Sequence, residues 1–350
     1  MLALQKTEAA PGVELREVAP PPAPGPGEVL IGIEATGVCG TDVHIAHWTP
    51  GYESMQRAMP VTIGHETCGR ICAAGEGVDP ALIGQRVTIR PSVLCHRCAP
   101  CLNGDPDNCT GRLGVGIGRS GAFAPQLLVP AENCVPVPEG MEAEIAALTE
   151  PMTVCREAVD TAGLRPGARV LVLGPGTIGQ GIALFAEAAG AGEVVVVGRD
   201  DAARLERVRA LGFPNVADSL GTTLAGALAP WLEHGRFDVI FEATGVPAVV
   251  PEALSVLAKR GKLVIVGIHP APAQVDLTAL VRNHQQILGS YRAPVETWPE
   301  VLAFLSANPE RLRGMISHRL PLTDAPEAVK IAGAKQASKV MVLQEAGACP

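Results

Sequence analysis

The chain has 350 residues, of which 47% are hydrophobic, 18% charged and only 3% aromatic. This excludes a disordered chain and implies about two domains with cores of Val, Leu, Ile and Ala. The net charge of −8 comes without any cluster of Lys and Arg, which excludes a nucleic-acid footprint. No basic-then-apolar leader and no membrane-length apolar run occurs, so a cytoplasmic protein with no membrane partner is expected. Its ten cysteines then need an explanation other than disulfides.

Up to about residue 150, short apolar runs alternate with turn residues: EVLIGIEATG (28–37), PVTIGHETCGRICAAG (60–75) and QRVTIRPSV (85–93). These predict short strands in a closed or folded sheet, with PPPAPGPGE (20–28) as an extended surface loop and no strong helix before about 142. EAEIAALTEPMTVCREAVDTAG predicts helices on either side of Pro151. From Arg169 onward apolar strands alternate with amphipathic helices: ARVLVLG, TIGQGIALFAEAAGA, EVVVVG, DDAARLERVRALG, then FDVIFEATG, GKLVIVGI and QQILGSY. That alternation predicts a parallel sheet covered on both faces, a doubly wound α/β unit. A last Val-rich strand, SKVMVLQ, lies at 338–344.

Cys95, Cys98, Cys101 and Cys109 form a C-x2-C-x2-C-x7-C pattern. Four thiolates this close can close a tetrahedron around zinc with Zn–S bonds of roughly 2.3 Å, leaving no open position, as a structural site requires. An iron–sulfur cluster is the competing reading.

RVLVLGPGTIGQG sets Gly174, Gly176 and Gly179 as G-x-G-x-x-G between a buried strand and a helix that opens at Thr177 and Ile178. The first glycine allows the tight turn, the second admits a pyrophosphate, and the third lets helix pack on strand. The next strand ends in Gly198-Arg199-Asp200, where an acidic residue would bind the 2′-hydroxyl of NAD. Arg199 suits the 2′-phosphate of NADP, whereas Asp200 would serve NAD if the loop is shifted by one residue. Thr244, Val266 and Gly267 fall at the ends of later strands and should edge the dinucleotide.

Cys39 in GVCGTDVH and His65-Glu66 in GHE are weak evidence for a metal site when taken alone, since a buried Cys is usually core and glycines also mark turns. In order and spacing, however, GVCGTDVH, GHE, the cysteine quartet and the glycine-rich unit resemble the zinc-containing medium-chain dehydrogenases, over nearly the whole chain. GSYRAPVETW (289–298) and ISHRLPL (316–322) resemble the threonine dehydrogenases, while TEPMTV (149–154) resembles the sorbitol (polyol) dehydrogenases.

The resemblance implies a GroES-like β-rich catalytic domain (1–153 and 292–350) and a Rossmann domain (154–291), with the active site in the cleft between them. It implies Cys39 and His65 as catalytic zinc ligands, with Glu66 and Glu150 binding directly or through water. Many alcohol dehydrogenases have a second Cys where this chain has Glu150. Thr41 and His44 would relay the alcohol proton to solvent, although each residue alone also reads as a turn cap or a solvated side chain. Asp42 would accept a hydrogen bond from the zinc-bound His, with Lys339 neutralising it. Gly198 followed by Arg199 resembles the NADP-using members.

The implied function is hydride transfer between a secondary alcohol, of polyol type, and NADP or NAD. L-Threonine dehydrogenase or a general secondary-alcohol dehydrogenase or ketone reductase is the alternative, and a cofactor-sensing zinc module is the non-enzymatic one. Cys68, Cys72, Cys134, Cys155 and Cys349 read as core cysteines. Trp48, Tyr52, Arg119 and Arg292 either line the substrate cleft or lie on the surface, and Glu150 suits a hydroxyl-rich substrate. A homo-oligomer, dimer or tetramer, is expected, with QQILGSY as the hint of an interface.

Overall fold

A computed structural model describes residues 1–344. Two sheets organise the chain. The first is built from β1 (Glu28–Gly37), β2 (Glu66–Ala74), β3 (Arg86–Ile89), β4 (Gln126–Pro130) and β5 (Cys134–Pro136). Their Val- and Ile-rich runs suit a pleated surface buried on its inner face, and Val29, Ile31, Ile33, Ile71, Val87 and Val129 form one core cluster. Between β1 and β2 the chain makes a short helix, α1 (Gly40–His47).

This helix corrects the expectation of no strong helix before about residue 142. Only Asp42 and Ile45 of its eight residues are buried, so it carries no apolar stripe to read. Its ends hold it instead. The Asp42 carboxylate accepts from the Cys39 amide at 2.9 Å, and Trp48 closes it in the left-handed region at φ 54°.

α2 (Thr149–Ala162) begins before Pro151 rather than after it. In a first turn the N–H has no intrahelical acceptor, so proline is tolerated there, and the helix continues unbroken across residue 153.

The second sheet follows as β6 (Arg169–Leu173), α3 (Thr177–Ala188), β7 (Glu193–Gly198), α4 (Ala202–Ala210), β8 (Val216–Asp218), β9 (Phe237–Glu242), β10 (Leu257–Ile265) and β11 (Gln286–Gly289). The strands are all parallel, in the order β8-β7-β6-β9-β10-β11. This is the doubly wound Rossmann arrangement, whose order reverses between β6 and β9 and so opens a crevice at the strands' carboxyl ends. β11, from QQILGSY, is one of its two outer strands.

The chain then returns to the first sheet. After α5 (Thr297–Ala307), strands β12 (Ile316–Pro321) and β13 (Lys339–Leu343) pair in parallel, and β13 lies antiparallel to β1. The sheet reads β5-β3-β2-β1-β13-β12, with β4 also pairing with β1. Residues from far along the sequence thereby reach the ligand-bearing strands β1 and β2.

Of the cysteines read as core, Cys68 and Cys155 are fully buried, while Cys134 is half-buried. Cys72 is also half-buried and is engaged in a disulfide, so it is not a free core thiol. Cys349 lies outside the described residues.

Candidate active site and cofactor crevice

Cys39 ends the β1–α1 connection, His65 and Glu66 open β2, and Glu150 sits in the first turn of α2. His65 is buried, and the Cys39 sulfur, Asp42 and Glu150 lie close enough to act on its charge. Burial alone would push its pKa down. The Cys39 sulfur, followed by Asp42 and Glu150, outweighs this and raises it well above the ordinary value. Burial pushes the Glu150 carboxyl up to about 7, with His65 pulling the other way and Glu66 adding to the rise. One imidazole thus faces several anionic groups, and its Nδ1 is buried without a hydrogen-bond partner among the described residues. Sulfur, imidazole and carboxylate around an orphaned nitrogen form a donor set that fits a divalent zinc ion.

Two expectations about the supporting residues are corrected. Lys339, on β13, reaches Glu66 and not Asp42, and also donates to the Val38 carbonyl at 2.9 Å. Both ends of the ion pair are buried. The sheet register explains the pairing: Gly37 on β1 stands opposite Glu66, and a Cβ at Gly37 would lie 2.3 Å from the Glu66 carboxylate. Only the missing side chain lets Glu66 cross to Lys339. Asp42 accepts hydrogen bonds from the backbone amides of Cys39 (2.9 Å) and Gly64 (3.2 Å), with no bond to the His65 ring. It therefore clamps together the two segments that carry Cys39 and His65.

Thr41 and His44, both half-buried, stand on the first turns of α1. Tyr52 joins them. Its hydroxyl lies close enough to Thr41 for that side chain to oppose the rise that burial gives its pKa, and its ring stacks on His44 with centroids 6.4 Å apart. Of the other cleft residues, Trp48 lies under the Lys6 ammonium, Arg119 is spent on the Leu128 carbonyl and Glu28, and Arg292 is exposed beside Tyr291.

The four quartet sulfurs lie within 4.8 Å of one another. Cys109 is 3.5 Å from Cys95 and 3.9 Å from Cys98, close to the roughly 3.8 Å edge of a tetrahedron with Zn–S bonds of about 2.3 Å. The Cys101 amide, first among several hydrogen bonds, holds the Cys98 thiol down at about 5, favouring the thiolate a metal needs.

In the crevice, Gly174 has φ +105°, and a Cβ at Gly179 would lie 1.8 Å from the Gly174 carbonyl oxygen. Both glycines are thus required by the turn itself. Gly176 caps α3, with Ile178 half-buried behind it. The Thr177 hydroxyl does not face the crevice freely, because it donates to the Ser338 carbonyl at 2.8 Å. At the end of β7, a Cβ on Gly198 would meet the Asp201 Cβ at 2.8 Å and Pro175 at 3.1 Å, so this loop leaves no room for an acidic side chain there. Arg199 and Asp200 are exposed, and Asp200 has φ 53°.

The sequence reading missed Arg204. Its guanidinium grips Asp201 through two nitrogens at 2.5 Å, and another nitrogen lies 3.5 Å from where a Gly176 Cβ would be. It falls a helical turn past the strand end, where attention to the acidic position does not look. Thr244 is held by Glu242, and the amides of Val266 and Gly267 both donate to the Glu242 carbonyl at 2.9 Å.

The two sites adjoin. α2, which carries Glu150, packs on α3 through Cys155, whose sulfur meets the Ile178 carbonyl at 3.3 Å. Ser338 touches the start of α3 while its neighbour Lys339 holds Glu66. The metal-type cluster therefore lies beside the mouth of the dinucleotide crevice.

Comparisons with known proteins agree with this geometry. Residues 25–139 match the alcohol dehydrogenase GroES-like domain, and residues 177–307 match the zinc-binding dehydrogenase family. An L-threonine 3-dehydrogenase of Mesorhizobium japonicum is 34% identical over 347 residues, covering 98% of each chain. An alcohol dehydrogenase of Escherichia coli CFT073, solved with NADH, superposes with a TM-score of 0.86 at 28% identity, covering 98% of this chain and 99% of that one. A zinc-binding dehydrogenase of Sinorhizobium meliloti 1021, solved with NADP, gives 0.83 at 28% identity and 98% coverage of each. The chain belongs to the zinc-containing medium-chain alcohol dehydrogenases, NAD(P)-dependent oxidoreductases, in their threonine and polyol dehydrogenase branch.

Proposed function

We propose that the chain oxidises a hydroxyl-rich secondary alcohol of polyol type, or reduces the matching ketone, with NADP as the preferred cofactor. The observation that carries the reading is buried His65, its Nδ1 unpartnered among the described residues, with half-buried Cys39 and Glu150 close enough to act on its charge beside the crevice. Cys39, His65 and Glu150 would hold the catalytic zinc. Glu66 is occupied by Lys339 and would act on the metal only through space. Cys95, Cys98, Cys101 and Cys109 would hold a second, structural zinc.

When bound, zinc supplies Lewis-acid polarisation of the substrate hydroxyl, and the nicotinamide ring supplies the hydride acceptor. The protein's own residues manage the proton. Thr41 stands two residues from Cys39, and its hydroxyl would accept the alcohol proton while passing its own on towards His44, three residues further along α1. Burial, with His47 adding to it, keeps the His44 pKa below the ordinary histidine value, so at neutral pH the ring is free to accept the proton next. Asp42 fixes the separation of Cys39 from His65 through their flanking amides.

The NADP preference rests on Gly198, which leaves no carboxylate at the strand end, with exposed Arg199 and nearby Arg204 as cations for a 2′-phosphate. The polyol preference rests on the Glu150 carboxyl, a hydrogen-bonding group in the first turn of α2 beside the ligands. L-Threonine is the second reading, favoured by the identity to the Mesorhizobium japonicum enzyme.

Homo-oligomerisation is supported by β11, an outer strand of its sheet, which exposes Ile287. No helix among the described residues is long and apolar enough to cross a membrane.

The test is initial-rate kinetics of the zinc-loaded protein with sugar alcohols, simple secondary alcohols and L-threonine, each with NAD and NADP. Preferential turnover of a sugar alcohol with NADP is expected. Turnover confined to L-threonine would replace the polyol reading, and a better rate with NAD would replace the cofactor reading.

A further inference from the structure

Three buried polar atoms without a hydrogen-bond partner among the described residues lie at the carboxyl ends of neighbouring strands: Glu242 Oε2 after β9, His269 Nε2 after β10 and Ser290 Oγ after β11. Buried groups left unmet are costly, so two that face each other call for an account. Glu242 is wholly buried. Its Oε1 accepts from the amides of Thr244 (2.7 Å) and Gly245 (3.0 Å), which shapes the loop after β9. Its Oε2 stands 3.3 Å from His269 Nε2, and among the described residues no other basic side chain comes within ion-pair distance of it.

The other ring nitrogen, His269 Nδ1, lies 3.0 Å from the Gly267 carbonyl oxygen. The ring thus stands between two acceptors, a carbonyl at Nδ1 and a carboxylate at Nε2. The loops also touch directly, because a Cβ on Gly245 would lie 2.5 Å from the Ile268 carbonyl oxygen. The loop after β9 in turn walls the glycine turn: a Cβ on Gly174 would lie 3.1 Å from the Ala243 oxygen and 3.2 Å from the Thr244 methyl. One carboxylate and one imidazole thus join the loops after β9 and β10, which border the crevice.

We propose that His269 is a positioning residue for the dinucleotide. Through Glu242 it holds residues 266–269 against residues 243–246 and so fixes the wall that the cofactor meets, without itself taking part in hydride transfer. This rests on the dinucleotide reading of the crevice. Sequence reading stopped at Val266 and Gly267, two residues short of it.

The experiment compares wild type with His269→Leu and His269→Gln, using the fluorescence-determined Kd of NADH and NADPH together with KM and kcat. His269→Leu should raise the Kd and KM of the cofactor about tenfold, with kcat at saturating cofactor and the KM of the alcohol changing less than about twofold. His269→Gln, whose amide can still donate to the carboxylate, should recover most of the affinity. A wild-type Kd in the leucine variant, or a glutamine variant as impaired as the leucine one, would overturn the proposal. Failure of the wild type to bind either dinucleotide would instead overturn the reading of the crevice beneath it.

Discussion

Lys339 is a buried cation whose only carboxylate partner within ion-pair distance among the described residues is Glu66. Bringing two charges into the interior costs several kcal/mol per ion, and the pair survives because each offsets the other. Removing one partner leaves that cost unopposed. Lys339→Met should therefore destabilise the protein by about 3–5 kcal/mol, measured by urea unfolding, and adding Glu66→Gln should recover part of the loss. A loss below about 1 kcal/mol would mean that Glu66 is neutral or solvated in the folded state. The sequence named Lys339 as the neutralising cation but assigned it to Asp42. Both carboxylates sit within the same two motifs, and spacing along the chain cannot tell which one faces β13. The register that puts Gly37 opposite Glu66 decides it.

Secondary-structure elements differ in how far their cause is local. The glycine-rich turn was legible because each glycine answers a backbone constraint within six residues: φ +105° at Gly174, and at Gly179 a carbonyl 1.8 Å from any Cβ. Gly179→Ala should thus force α3 off β6. Cofactor affinity should fall at least tenfold, read as Kd by fluorescence, with zinc content unchanged. The cysteine loop was legible for the same reason, since four ligands fall within fifteen residues. Cys98→Ser should lower bound zinc by about one equivalent per chain in elemental analysis and lower Tm, because the metal ties four points of the loop together. Zinc content equal to wild type would point away from that site. α1 was not legible. Its stability comes from Asp42 and a left-handed Trp48 rather than from apolar periodicity. Arg204 was missed because its place beside Gly176 depends on how α4 is set against the glycine turn.

At the scale of the whole molecule, the question is what holds the cofactor unit against the metal-bearing sheet. A chain that crosses twice, through α2 and again after β11, leaves the angle between the two units to side-chain contacts. The start of α3 supplies them. Thr177 donates to the Ser338 carbonyl at 2.8 Å, and Gln180, fully buried, donates to the Ser338 hydroxyl at 2.7 Å and to the Pro175 carbonyl at 2.8 Å. Ser338 immediately precedes Lys339, so one short segment contacts both the pyrophosphate-type turn and the ion pair behind the metal ligands. A double-mutant cycle of Gln180→Ala and Ser338→Ala should yield a coupling energy of about 0.5–1.5 kcal/mol by urea unfolding. If the contact sets the alignment of nicotinamide and metal, each single variant should also lose kcat while the Kd of the cofactor moves little, because the dinucleotide binds one unit and reacts across to the other. A fall in stability with kcat intact would make Ser338 a packing contact alone, and alignment would then have to come from α2, where Glu150 and Cys155 share one helix.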